Sequence, residues 1–535
     1  MELGQQLRLG ISSPGMTNNI VVKLKPYIQP FERYLARAEL HGLLGREYIK
    51  DPFSEPAEAE MLFPSSISLE MLRNRLAYWE KIGSWQLEPT LQVVLESEHG
   101  EYTANDDEVF DYHKSRRLRY GPHGLHEYRG KFFPQLVKSL INLAGLSPGS
   151  IVLDPMCGSG TTNCEARSME MRTIGVDLNP LSVKVSQVKT SLFDVDEQPM
   201  KEQIERVLAH LETAEIDYSQ TSDNWDSREL SYLGRWFSGL ALRELAAVLD
   251  SIRTCHYALA REFMEVCFSN IINTVSWQKE ADLRVRKQVK PYYSGTVITL
   301  FLQEVKNNLK RVLSYLSCFG NRREFPEFTI IEGDSRRLDD LLPDWVGRCD
   351  LLLTSPPYAM ALPYIDTDRL SLAVLGLLPR SRHKALELKM VGNREITERQ
   401  RHELWDNYMD RRGELPQSVN KTIEKIALSN HKEGIGFRRR NLPALLSRYF
   451  LDMTEAMRSA RNMLKPGSFG FYVVGNNSTR ISGERFTIET DHFLWEIGQQ
   501  AGWKPKRVIN MELLPSRDIF RYQRGTSESI LWFQA

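Results

Sequence analysis

Two short strings hold residue types that do chemistry when loops present them: Asp154-Pro155-Met156-Cys157-Gly158-Ser159-Gly160-Thr161-Thr162 and Thr354-Ser355-Pro356-Pro357-Tyr358. Gly158 and Gly160 lack a Cβ, so the backbone there can turn sharply and lie against a ligand that a side chain would exclude. Asp177, seventeen positions beyond Gly160, has the spacing of a carboxylate at the end of the next strand, where it accepts the hydroxyl protons of a ribose. Asp154 suits the ammonium group of an amino-acid moiety. Asp334, after a later strand pattern, suits the amino proton of an adenine ring. Together they describe a seat for a nucleoside joined to an amino acid. The three-glycine dinucleotide fingerprint and the Gly-Lys-Ser/Thr phosphate loop are both absent. A Gly-Ser-Gly string alone reads as readily as a simple turn as a ligand seat; the acidic residue at this distance tips the balance to the seat.

The second string fits a different task. A base amino group is a poor nucleophile because its lone pair is delocalised into the ring. Ser355 Oγ and the Pro356 carbonyl can hold its two protons and aim the lone pair, while Pro356 and Pro357 fix the backbone that carries them. Tyr358 offers a flat face for a base extruded from a duplex. The two strings together read as methyl transfer from a sulfonium donor to an amino nitrogen, by positioning more than by acid–base chemistry.

Loops of this kind need strands behind them. Ser150–Leu153, Thr173–Val176, Phe328–Ile331 and Asp350–Leu353 are apolar runs that read as buried strands. Thr161–Met169 and Pro180–Lys189 read as helices between them, a succession that predicts a parallel sheet with right-handed crossovers. Helical periodicity marks 31–40, the region around 71–79, a face through Phe132, Phe133, Leu136, Val137, Leu140 and Ile141, the stretches 240–249 and 297–316, then Tyr449–Leu464 and Asp491–Ala501. Phe469–Val474 and Ser529–Phe533 read as further strands, with Lys465-Pro466-Gly467 as the helix stop between 464 and 469.

At 535 residues and 41% apolar composition the chain can bury more than one core. Its 69 basic and 69 acidic residues balance, so attraction to a polyanion must come from local patches. Six scattered cysteines without a Cys-x-x-Cys pair argue against a zinc site or a disulfide scaffold and fit a reducing cytosol. The first residues lack the basic stretch and apolar core of a signal peptide, and no stretch has the ~18 apolar residues of a membrane span; a soluble, cytoplasmic protein is expected.

At these residues the chain resembles the amino-methyltransferases of DNA, the N4-cytosine and N6-adenine enzymes that use S-adenosylmethionine. The family's Gly-rich motif runs close to Asp-Pro-Phe-x-Gly-Ser-Gly-Thr-Thr, with Met156 here in place of the aromatic residue. His126-Glu127-Tyr128-Arg129-Gly130-Lys131-Phe132-Phe133-Pro134 looks like the motif that contacts the methionine end of the cofactor. The resemblance implies cofactor contacts from His126, Tyr128, Lys131, Phe132, the loop 154–162, Asp177, Asn179 and Asp334, and a catalytic role for Ser355, Pro356, Pro357 and Tyr358. It also implies an α/β, Rossmann-like twisted seven-stranded sheet with one antiparallel strand. The serine form of the catalytic motif favours cytosine N4, in a restriction–modification or phage-defence setting, with DNA and a cognate restriction or defence protein as partners. Adenine N6, a base in RNA, or a catalytically silent DNA-binding subunit are the other readings.

The expected division is an N-terminal extension (1–110), a cofactor half (111–195), a helical insertion suited to target recognition (196–325), a catalytic half (326–378), a basic insertion (379–443) and a closing part (444–535). Phosphate contacts need Lys and Arg near a cleft. The candidates are Lys114 to Arg119; Arg284, Arg286, Lys287 and Lys290 with Tyr292 and Tyr293 beyond; and Arg438, Arg439 and Arg440. Asn476-Asn477-Ser478 is a candidate for the base pocket or a simple turn.

Overall fold

The computed structural model is described for residues 19–25, 28–64, 72, 75–82, 85–86, 120–128, 130, 133–213, 223–279, 286–317, 319, 324–359, 364–430, 436–481, 484–512 and 527–535. The chain opens with β1 (Asn19–Leu24), α1 (Pro30–Leu44), β2 (Glu60–Pro64), β3 (Trp79–Ile82) and β4 (Trp85–Gln86). These strands form an antiparallel sheet in the order β2-β1-β3-β4. Helical periodicity does foretell α1, but Trp79 stands in a strand and not on a helix. Its indole donates to the Ala36 carbonyl at 3.2 Å, so the strand is fixed by its docking on α1.

Next come α2 (Pro134–Leu143), β5 (Ile151–Asp154), α3 (Thr161–Ser168), β6 (Arg172–Asp177) and α4 (Pro180–Ser191). An all-helical run follows: α5 (Glu197–Thr213), α6 (Ser227–Leu233), α7 (Gly239–Arg253), α8 (Ala258–Val275) and α9 (Thr296–Ser317). The sheet resumes with β7 (Phe328–Glu332) and β8 (Cys349–Thr354). After α10 (Tyr364–Val374), α11 (Arg380–Lys389), α12 (Glu398–Arg411), α13 (Gln417–Ser429) and α14 (Leu442–Asn462), the chain ends with β9 (Leu464–Gly475), β10 (Asn477–Ile481), β11 (Glu484–Ile488), α15 (Thr490–Gln500), β12 (Lys504–Glu512) and β13 (Ser527–Gln534).

Seven strands form the central sheet in the order β12-β13-β9-β8-β5-β6-β7. Only β13 runs against its neighbours; β9, β8, β5, β6 and β7 are mutually parallel. Lys465-Pro466-Gly467, expected as a helix stop, lies within β9. Side chains alternate across a pleated strand. Leu351, Leu353, Phe471, Val473 and Ile530 face one core, while Leu352, Tyr472, Val474 and Leu531 face the other.

The first core also contains Leu35, Ala36 and Leu40 of α1, Val22 of β1 and Leu136, Val137, Leu140 and Ile141 of α2. The N-terminal elements therefore cover one face of the sheet. Helix α1 crosses α2 so closely that a Cβ at Gly42 would stand 1.9 Å from the Asn142 carbonyl oxygen. Beneath this crossing Glu39 accepts from the Ala77 backbone N–H at 2.6 Å and from Asn142 Nδ2 at 3.2 Å; burial pushes its carboxyl up to about 8. The helices of the insertion share a third core with Leu181, Val185 and Val188 of α4 and with Ile365 and Leu370 of α10.

Candidate active site

Parallel sheets bind ligands beyond the carboxyl ends of their strands, where the chain's direction of winding reverses. Here the chain winds from β5 out through β6 to β7, then returns to β8 on the other side of β5. The reversal lies between β5 and β8, and these strands end at Asp154 and Thr354, the heads of the two motifs.

Thr354 Oγ1 donates to Asp154 Oδ1 at 2.6 Å, which joins the two loops. Asp154 is 1% exposed and also accepts from the Met156 backbone N–H at 3.2 Å. Burial drives its carboxyl up to about 6 against the pull of these donors. Asp154 therefore sits behind the cleft as a clamp and is not on its wall.

The Gly-rich loop is shaped from the neighbouring strand. Cys157 N–H donates to the Val176 carbonyl at 3.0 Å, and Gly158 N–H donates to Asp177 Oδ2 at 2.9 Å. Asp177 Oδ1 accepts from Asn179 N–H at 2.8 Å. Gly158 and Gly160 take φ of +49° and +74°, and a Cβ at Gly160 would meet Ser186 Oγ at 2.2 Å. Both glycines are required by backbone conformation as well as by close approach. Desolvation raises Asp177 to about 6 even though these amides hold it down. Asn179 caps α4 and gives its amide hydrogen to Asp368 Oδ2 at 2.7 Å.

The catalytic candidate loop is held by four elements. Ser355 Oγ donates to the Val473 carbonyl of β9 at 3.1 Å. Tyr449 of α14 donates its hydroxyl to the Pro357 carbonyl at 2.8 Å. Asn477 Nδ2 donates to the Ala359 carbonyl. Tyr358 lays its ring on Gly475, where a Cβ would come within 2.7 Å, and its hydroxyl donates to Glu528 Oε1 at 2.9 Å.

One cleft gathers these pieces. Its walls are Tyr128, Gly130, Met156, Cys157, Gly158, Ser159, Thr161 and Asp177 on one side and Ser355, Pro357 and Met390 on the other, around about 500 Å³ of open space. Burial raises the Cys157 thiol well above its ordinary value, which keeps it neutral.

Several expected contacts lie elsewhere. Thr162 is buried and donates to the Leu353 carbonyl at 3.3 Å; His126 is buried against Ser269 Oγ at 2.9 Å. Pro155 and Pro356 do not line the cleft. Asp334 is held by Arg336, which reaches both carboxylate oxygens at 2.9 and 2.6 Å, and it is likewise off the cleft wall. Lys131, Phe132, Arg284 and the cluster 114–119 fall outside the described residues, as does the Arg438 side chain. Arg286, Lys287, Arg439 and Arg440 are exposed, and Lys290 is half-buried. Sequence reasoning missed Tyr449 and Met390, for no local pattern sets either apart.

A DNA methylase family model, N6_N4_Mtase, matches residues 66–188, the stretch that includes the Gly-rich loop and Asp177. This match and the relatives that follow support the N6/N4 DNA methylase family for the chain. It is 22% identical over 419 residues to the Type II methyltransferase M.BsoBI of Geobacillus stearothermophilus, an alignment covering 73% of this chain and 80% of that protein. It is 24% identical over 396 residues to the Type II methyltransferase M.MvaI of Kocuria varians, covering 70% and 80%. With the Type II methyltransferase M.MjaII of Methanocaldococcus jannaschii it shares 23% identity over 334 residues, 48% of this chain and 63% of that relative's length.

The family match and the fold imply S-adenosylmethionine as the methyl donor, and Gly158, Ser159 and Asp177 line the cleft that would hold it. Gly158 lines the cleft beside Asp177, whose oxygens each keep a second lone pair for ribose hydroxyls. Among the described residues no helix is long and apolar enough to cross a membrane.

Proposed function

We propose that this chain transfers a methyl group from S-adenosylmethionine to the exocyclic N4 of a cytosine flipped out of DNA. One observation carries the reading: the Gly-rich seat with Asp177 and the residues Ser355 and Pro357 face each other across a single cleft. The bound cofactor would supply an activated sulfonium methyl. Asp177 and the backbone of Gly158 to Ser159 hold and orient the nucleoside end.

Ser355 already spends its hydroxyl hydrogen on the Val473 carbonyl. Its oxygen lone pairs are thereby directed away from β9, so the side chain acts as an acceptor for an amino hydrogen. Tyr449 keeps the neighbouring peptide still by bonding Pro357. The resemblance implies cytosine, since its serine form of the motif is the more common one among N4-cytosine enzymes. The Type II relatives favour a role beside a restriction nuclease.

Mass spectrometry of nucleosides from DNA and RNA incubated with the protein and labelled cofactor tests the reading. N4-methylcytosine in DNA is expected. N6-methyladenine, a methylated RNA base, or no product would each overturn it in favour of a named alternative. Ser355→Ala should slow transfer by about a hundredfold or more with cofactor affinity unchanged, whereas Asp177→Ala should weaken cofactor binding first.

A further inference from the structure

The basic groove beside α6 carries no role in the methyl-transfer chemistry. Arg228, Arg235, Lys287 and Arg380 line it together with Tyr232 and Trp236. All four cations are exposed, while the two aromatic residues are half-buried. Among the described residues none of the four cationic side chains makes an ion pair with a carboxylate. The Arg380 guanidinium stands 5.2 Å from the Tyr232 ring centre and Lys287 Nζ 4.7 Å from that of Trp277. Glu229 at the rim directs one oxygen to the Arg380 backbone N–H. In a chain of zero net charge, four exposed cations gathered in one groove form a local positive field.

The groove is mechanically tied to the active cleft. Helix α11 starts at Arg380 in the groove and ends one residue before Met390 on the cleft wall. Its ten residues span about 15 Å, roughly four base-pair steps of a duplex. A second tie runs through α10, where adjacent residues serve the two places. Asp368 accepts from Asn179 at the cofactor seat, and Arg369 stacks its guanidinium 4.2 Å from the Trp236 ring centre under the groove.

We infer that this groove grips the phosphate backbone of duplex DNA a few base pairs from the extruded base. Arg228, Arg235, Lys287 and Arg380 contact phosphates, while the Tyr232 ring holds Arg380 at a fixed height. The inference rests on the proposed methyl transfer for its choice of DNA, but its test reads binding alone.

Two paired variants of the full chain, Arg228→Gln with Arg235→Gln and Lys287→Gln with Arg380→Gln, are titrated with a short duplex of mixed sequence across a salt series. Cofactor binding by calorimetry, without DNA, checks that the cleft is intact. Each pair should bind duplex roughly tenfold more weakly at moderate salt, and the slope of log affinity against log salt should flatten by about one per lost contact. Paired lysine replacement of Arg235 and Arg380 should restore the slope. Unchanged affinity and slope in both glutamine pairs, or a wild-type preference for an RNA duplex, would overturn the assignment. Wild-type binding that depends on these cations without methylation of any DNA base would sink the proposed reaction and leave the groove standing. Methylation at unchanged KM for DNA in both pairs would sink the groove alone.

Discussion

Asp177 stands where half-burial and backbone donors compete, and its raised value near 6 has consequences of opposite sign for binding and for stability. Ribose hydroxyls donate best to the ionised carboxylate. Affinity for S-adenosylmethionine should therefore hold above pH 6 and decline below it, approaching tenfold per pH unit, as calorimetry between pH 5 and 8 would show. For stability the folded chain keeps this proton up to about pH 6, whereas the unfolded chain releases it near its ordinary value of 3.8. The group thus favours the folded state most at low pH, and that contribution is lost as pH rises through the interval between the two values. At the same scale, Tyr449→Phe removes the donor to Pro357. It should lower kcat by roughly fivefold to tenfold, the equivalent of one hydrogen bond near 1 kcal/mol, and leave cofactor affinity alone. A parallel fall in cofactor affinity would show that the hydroxyl merely supports the fold.

Among the elements, the two motif strands and their loops were legible because each motif is short and contiguous, and each follows an apolar run. Ile151–Asp154, Arg172–Asp177, Phe328–Glu332 and Cys349–Thr354 all lie within a residue or two of their expected positions. Tyr449 and Met390 were not legible, since each reaches the site from a helix or helix end whose local pattern is ordinary amphipathic helix. Strand β12 and the β10–β11 hairpin were missed as well: Lys504–Glu512 alternates charge with apolar residues too weakly to stand out, and its register is set by pairing with β13. Asn477, read as a turn or base-pocket residue, opens β10 and ties down Ala359. The α1–α2 crossing shows how such tertiary facts escape a periodicity argument. Gly42 sits in an ordinary helical pattern, yet a methyl group there would strike the Asn142 carbonyl. Gly42→Ala should lower stability by about 1–3 kcal/mol, visible in urea melts, where helix propensity alone predicts a gain.

For the molecule as a whole, the N-terminal elements are the largest departure from an additive picture of extension plus catalytic domain. In sequence, residues 1–110 stand apart only as an extension, and the structure gives the described ones among them a packing role. Phe31, Leu35, Trp79 and Ile82 belong to the same core as Leu351, Leu353, Phe471 and Ile530 of the sheet. Deleting residues 1–86 should uncover that apolar face, so the shortened chain should bind a hydrophobic dye and melt without a sharp transition. A shortened chain that melts cooperatively and still binds cofactor would show the two parts to be independent.

The bond between Thr354 and Asp154 links positions two hundred residues apart in the chain. Whatever length or sequence intervenes, the donor seat and the acceptor loop keep their spacing, because a side-chain contact between adjacent strand tips sets it. The intervening helices can therefore vary without shifting the two loops relative to one another.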